Sequence, residues 1–182
     1  MTRPALFLDR DGVVNRDTGY VYEERHFVFL DGIFDVVAAA KKAGYLCIIV
    51  TNQAGIGRGY FTEQHFQSLT AWVSRQFVKH GGKIDRTYHC PHHPDFGVSQ
   101  YKVRCECRKP RPGMLLQAAK DLNIDLGRSI LVGDKATDIE AAWNAGVTTR
   151  LLLSATECPA YSHIVLPELR AITRYLRSGE RV

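Results

Sequence analysis

Pro4-Ala5-Leu6-Phe7-Leu8-Asp9-Arg10-Asp11-Gly12 opens the chain with an apolar run that stops on an acid and carries a second acid two positions later, just before a glycine. A run this short and this continuously apolar reads as a parallel strand covered on both faces. The pattern recurs. Tyr45 to Val50 leads into Thr51-Asn52, Ser129 to Val132 leads into Gly133-Asp134, and Thr148 to Leu153 is a fourth run.

Helical periods fill the intervals. Asp31 to Ala43 places Ile33, Val36, Val37 and Ala40 on one face and stops at Gly44, while Thr62 to His80 opens on a capping threonine and lines up Phe66, Leu69, Val73 and Phe77. Pro112 to Asn123, Ala136 to Ala145 and Pro167 to Leu176 complete the set, with Pro112 expected in a first helical turn. Strand and helix in alternation predict an α/β fold: a doubly wound parallel sheet with helices on both faces. At 182 residues, one domain spanning 1–182 is expected.

The 45% hydrophobic and 24% charged fractions suit a soluble globular protein. No apolar stretch is long enough to span a membrane, and the start shows no export signal, so a cytoplasmic protein is expected. The net charge of +5 is scattered among acids, apart from the cluster from Lys102 to Arg111, which a small anion explains as well as nucleic acid does.

In an open α/β sheet, ligands sit beyond the carboxyl ends of the strands. Asp9, Asp11, Thr51, Asn52 and Asp134 should therefore converge there. Carboxylates gathered at one rim repel and call for a hard cation; their oxygens suit Mg²⁺, which also screens a phosphate dianion from an attacking carboxylate. The Thr51 hydroxyl and the Lys109 ammonium would compensate the oxygens of a transferring phosphoryl group. Asp-x-Asp-Gly alone is often only a turn. Its place after a strand, in order with the other segments, carries the weight.

One segment breaks the alternation. Tyr88 to Arg111 is rich in Cys, His and Pro, shows no helical period, and needs something to order it. Cys90, His92, Cys105 and Cys107 offer a tetrahedral, closed set of ligands for a structural Zn²⁺ in this loop, about residues 88–111, with His93 competing with His92. Cys47 and Cys158 read as packing and surface residues.

Asp9-Arg10-Asp11-Gly12-Val13, Thr51-Asn52, Lys109, and Gly133-Asp134 with Asp138 resemble the four motifs of the haloacid dehalogenase superfamily phosphatases, over essentially the whole chain. The resemblance implies Asp9 as nucleophile and Asp11 as general acid and base, with phosphoryl stabilisation by Thr51 and Lys109. It implies Mg²⁺ on Asp9, the Asp11 carbonyl and Asp134, with Asp138 orienting the site. Asp17-Thr18-Gly19-Tyr20, Thr51 to Ala54, Gly55-Ile56-Gly57-Arg58-Gly59, Cys90-Pro91-His92-His93, Cys105 to Pro110 and Gly133-Asp134-Lys135 further resemble the branch acting on heptose bisphosphates in lipopolysaccharide precursor synthesis.

That branch carries no large cap domain, and neither usual insertion point here has room for one. It implies substrate contacts at Arg10, Asp17, Thr18, Gly19, Tyr20, Asn52, Gln53, Ala54, Arg108 and Lys135, with Arg108 clamping the phosphate that is not cleaved. The expected partner is a small sugar bisphosphate met by a monomer, with neither nucleic acid nor membrane. The alternatives are a histidinol-phosphate phosphatase, a zinc-stapled nucleic-acid binding module, and a nucleic-acid end phosphatase. The last lacks an aromatic-basic track to hold a strand. The glycines at 55, 57 and 59 lack the spacing of a dinucleotide loop.

Overall fold

The strands β1 (Ala5–Leu8), β2 (Leu46–Asn52), β3 (Arg86–Cys90), β4 (Ile130–Gly133), β5 (Thr149–Leu152) and β6 (Ile164–Val165) form one parallel sheet in the order β3-β2-β1-β4-β5-β6. The computed structural model describes residues 2–153, 161 and 163–178. Around the sheet lie α1 (Ile33–Lys42), the single turn α2 (Ala54–Gly57), α3 (Glu63–Lys79), α4 (Gly113–Leu122), α5 (Ala136–Ala145) and α6 (Thr173–Ser178).

Alternation along β1 assigns the two faces. Leu6 and Leu8 enter a cluster with Val36, Val37, Leu69, Val73 and Phe77 from α1 and α3, and with Ile172 and Tyr175 near the end of the chain. Ala5 and Phe7 point the other way, onto Met114, Leu115 and Ala118 of α4 and Ile139 and Ala142 of α5. The expected double winding is therefore present. Truncating the fully buried Phe7 to alanine would cost about 3–5 kcal/mol.

The capping threonine is where the sequence put it: Thr62 Oγ1 accepts the His65 amide at 3.1 Å. Pro112, by contrast, stands at the N-cap of α4 rather than inside it, with Gly113 as first helical residue. Only glycine fits at 113, since a Cβ would meet the Glu106 carbonyl oxygen at 2.3 Å. The last helical pattern begins as a 3₁₀ turn, Leu169–Ile172, and becomes α-helical only from Thr173.

Two strands escaped the pattern. β3 occupies the start of what reads as irregular loop, because it pairs only with β2 and buries fully only Cys90. An edge strand shows little apolar signal. β6 has two residues, too few for any period. The β2–β3 register matters for the site, because it sets Asn52 opposite Cys90. Among the described residues no helix is long and apolar enough to cross a membrane. Cys47 is a buried packing residue whose thiol burial pushes up to about 12; Cys158 lies outside the described residues.

Candidate active site

β1 delivers Asp9 to the carboxyl edge of the sheet, and its amide continues the ladder by donating to the Val132 carbonyl at 3.0 Å. Next the chain must turn sharply over β4. Gly12 allows it, with a φ of 97° and a missing Cβ that would stand 2.2 Å from Asp134 Oδ2. Gly133 serves the same end one strand over, where a Cβ would lie 2.2 Å from that of Asp138. Small residues thus pull three acids together: Asp9, Asp134 and Asp138 each offer an oxygen within 4.8 Å of the others.

Lys109 is the counterweight. Its ammonium donates to Asp9 Oδ1 at 2.7 Å and to the Val50 carbonyl at 2.9 Å, and pairs with Asp138 Oδ1 at 2.6 Å. Burial alone would lower the lysine pKa, but Asp138 and Asp9 outweigh it and hold it above its ordinary value. Burial pushes the Asp9 carboxyl up to about 7, against the downward pull of Lys109. Asn52 fixes the lysine from the side: its amide donates to the Lys109 carbonyl at 3.0 Å and its oxygen accepts the Lys109 amide at 3.1 Å.

Asp11 has three donors of its own. Arg10 reaches it at 2.9 Å, Asn15 at 3.0 Å and Gln53 at 2.9 Å, and Gln53 also donates to the Thr51 hydroxyl at 2.8 Å. Arg10 is spent on this task and on the Val21 carbonyl at 2.8 Å. It is buried, and neither it nor Thr18, both expected as substrate contacts, is among the residues lining the cavity. Asn15 joins this network without a sequence signal, since one amide three residues beyond an Asp-x-Asp-Gly carries none of its own.

The remaining expected contacts do surround one cavity of about 340 Å³: Asp9, Asp11, Asp17, Gly19, Tyr20, Thr51, Asn52, Gln53, Ala54, Arg108, Lys109 and Lys135 line it, with Gly55, Thr137 and Asp138. Lys135 spans its mouth to Asp17 at 3.0 Å. This pair raises the pKa of Lys135 against its partial burial and lowers that of Asp17 likewise.

The residues fit a hard cation. Asp134 Oδ1 is buried with no hydrogen-bond partner, beside Asp9, and an oxygen so placed is the natural seat of a metal ligand. Asp138 is otherwise engaged, since besides Lys109 it accepts the amides of Asp134 at 3.2 Å and Lys135 at 3.1 Å. Asp9 and Asp134 are thus the available carboxylates.

At the end of β3 stands a second group. Cys90, His92, Cys105 and Cys107 bring one ligand atom each within 4.8 Å, and none of the three cysteines is in a disulfide. Hydrogen bonds within the cluster push the Cys90 thiol up and hold that of Cys107 down at about 5, led by the bond between these two. Three adjacent thiols cannot all ionise without a cation, so the donor set suits Zn²⁺. The two histidines are placed differently. His92 Nδ1 is 3.4 Å from Cys107 Sγ, whereas His93 Nδ1 accepts the amides of Asp95 and Phe96, both at 3.2 Å.

A parallel sheet with acids, Thr51 and Lys109 gathered at its carboxyl edge is the arrangement of a haloacid dehalogenase-like hydrolase, and the Hydrolase_like family model (HAD-hydrolase-like) matches residues 106–167. Similarity extends further. The chain is 48% identical over 181 residues to the D-glycero-beta-D-manno-heptose-1,7-bisphosphate 7-phosphatase of Vibrio cholerae, covering 97% of each chain. It is 57% identical over 153 residues to the D-glycero-alpha-D-manno-heptose-1,7-bisphosphate 7-phosphatase of Burkholderia mallei, covering 84% of this chain and 81% of that one. Among solved structures, the D,D-heptose 1,7-bisphosphate phosphatase from B. bronchiseptica, complexed with magnesium and phosphate, superposes with a TM-score of 0.82 at 30% identity, over 95% of this chain and 97% of that one. The chain belongs to the heptose-1,7-bisphosphate 7-phosphatase family of the haloacid dehalogenase superfamily.

Proposed function

We propose that this protein is a Mg²⁺-dependent phosphatase that removes the C7 phosphate of D-glycero-D-manno-heptose 1,7-bisphosphate through a phospho-aspartate on Asp9, on the route to nucleotide-activated heptose. The observation that carries the reading is Asp9 at the floor of the cavity, bonded to Lys109 and flanked by the unpartnered oxygen of Asp134. Asp9 and Asp134 would hold Mg²⁺ together with the Asp11 main chain. Mg²⁺, when bound, supplies the positive charge that lets a carboxylate approach a phosphate dianion.

An Asp9 oxygen attacks phosphorus; the bond to the C7 oxygen breaks, and Asp11 gives that oxygen its proton. Asp11 then takes a proton from a water that attacks the same phosphorus, and the bond to Asp9 breaks to release inorganic phosphate. Lys109 neutralises charge on the equatorial oxygens throughout, and the Thr51 hydroxyl donates a hydrogen bond to them. Asp17, Gly19, Tyr20, Asn52, Gln53, Ala54 and Lys135 shape the sugar site, and Arg108 receives the distal phosphate. Cys90, His92, Cys105 and Cys107 would hold a structural Zn²⁺ that fixes the Arg108-Lys109 segment. We read the chain as one domain acting as a cytosolic monomer; every group in the proposed chemistry comes from a single copy, so catalysis needs no second subunit.

Phosphate release measured with Mg²⁺ on the alpha and beta heptose bisphosphates, fructose bisphosphate and histidinol phosphate tests the reading. A heptose bisphosphate should be the best substrate, and ³¹P spectra should show loss of the C7 signal alone. Preference for histidinol phosphate would overturn it. The two relatives named above differ in anomer, so both anomers belong in the panel.

A further inference from the structure

The turn that follows β2 lies wedged between two loops at the cavity mouth. On one side Gly55 admits a ring, since a Cβ there would stand 2.8 Å from Tyr20 Cδ1. On the other, a Cβ on Gly57 would meet the Pro91 carbonyl oxygen at 2.5 Å and Tyr101 Cβ at 2.9 Å, and the Gly57 carbonyl accepts the Val98 amide at 2.8 Å. Arg58 leaves this turn between the two loops. Its guanidinium carbon is 4.6 Å from the Phe96 ring centroid and 6.0 Å from that of Tyr20.

Among the described residues no carboxylate pairs with Arg58, and its Nε is buried without a hydrogen-bond partner. What holds the guanidinium is therefore the two ring faces, by cation–π attraction. Tyr20 has reason to need it. It carries a φ of 50°, a left-handed conformation rare for a bulky residue, which persists only where the surroundings impose it. Tyr20 lines the cavity, whereas Arg58 does not.

We propose that Arg58 is a positioning residue for substrate affinity, riveting Tyr20 of the 17–20 loop to Phe96 of the loop braced by the Cys/His cluster. The inference rests on the proposed sugar-bisphosphate reading of the cavity. The brace at Cys90 and Cys107 then reaches the substrate by two routes: through Arg108 and Lys109 along the chain, and through Phe96, Arg58 and Tyr20 across space. Phe96 is 54% exposed, so its truncation tests the second route without opening the core.

Steady-state kinetics on the preferred heptose bisphosphate should show Arg58→Ala raising KM roughly fivefold to thirtyfold, the worth of one to two cation–π contacts, with kcat within about twofold of wild type. Arg58→Lys keeps the cation and should recover part of the loss. Phe96→Ala should raise KM in the same direction, and the double variant should be no worse than Arg58→Ala by more than about twofold, because both changes break one linkage. Zinc content should stay unchanged throughout. An unaltered KM in Arg58→Ala, additive losses in the double variant, or loss of zinc with a matching fall in kcat would each overturn the inference while wild type remains active. A wild type inactive on both heptose bisphosphates would overturn the functional reading, and this inference with it.

Discussion

Replacing Lys109 by methionine removes the one cation set between two buried acids. Methionine approximates the length of the lysine stem, so the loss is chiefly of the charge that bonds Asp9 at 2.7 Å and Asp138 at 2.6 Å. Both carboxylates are buried, with 6% and 1% of their residue surface exposed, and water cannot take the place of the ammonium. At pH 8, above the value of about 7 that Asp9 reaches, stripping one partner from a buried pair costs about 3–5 kcal/mol, because the remaining charge stays desolvated and unpaired. For a chain of this size each kcal/mol moves the melting temperature by about 2–4 °C, so Lys109→Met should melt roughly 6–20 °C below wild type. Two controls identify the cause. Adding Asp138→Asn to the variant removes one orphaned charge and should recover part of the loss, and Mg²⁺ should narrow the gap more than it raises wild type. Circular dichroism melts of the four combinations, with and without Mg²⁺, measure all of this. A Lys109→Met melt within about 2 °C of wild type would refute the argument that this lysine neutralises a desolvated acid pair.

Gly12→Ala would push a Cβ into Asp134 at 2.2 Å, so the Mg²⁺ concentration for half-maximal activity should rise at least about tenfold, as measured by Mg²⁺ titration of phosphate release. Metal-free protein should lose stability as pH rises from about 4 to about 7. Over that window the unfolded Asp9 ionises near its ordinary value while the folded carboxyl, held at about 7, still keeps its proton. Saturating Mg²⁺ should flatten that slope in pH-dependent melts, because the cation favours the ionised carboxylate. Cys105→Ser should lower zinc content and melting temperature together, read by metal analysis and calorimetry.

How much of this was legible beforehand depended on the kind of signal. β1, β2 and β4 are buried on both faces, and such strands announce themselves as apolar runs ending on functional residues. The helices that cover the sheet have one wet face, so their period was equally plain. β3 was hidden because an edge strand satisfies its backbone on one side only and mixes exposed and half-buried residues, as Arg86-Thr87-Tyr88-His89 does before Cys90.

Within the site, the residues that carry chemistry stood out by type and order, whereas those that hold them did not. Nothing in the sequence says that Arg10 turns inward onto Asp11, that Asn52 brackets the Lys109 peptide, or that Asn15 joins the same network. These roles depend on where side chains point after the turn over Gly12, a three-dimensional fact with no periodic trace. His92 and His93 were likewise equivalent by chemistry and separated only by rotation of the chain: one ring faces sulfur and the other caps the amides of Asp95 and Phe96.

The most direct test of the account is to trap the covalent intermediate. Asp11→Asn leaves Asp9 able to attack, slowly for want of the acid that protonates the leaving oxygen, and removes the group that activates water, so a time course with heptose bisphosphate and Mg²⁺ followed by acid quench should show one phosphoryl group accumulating on the protein. Peptide mass spectrometry should locate it on Asp9. Finding the phosphoryl group on another residue, or steady turnover by this variant at the wild-type rate with no labelled protein, would contradict the mechanism proposed for this site.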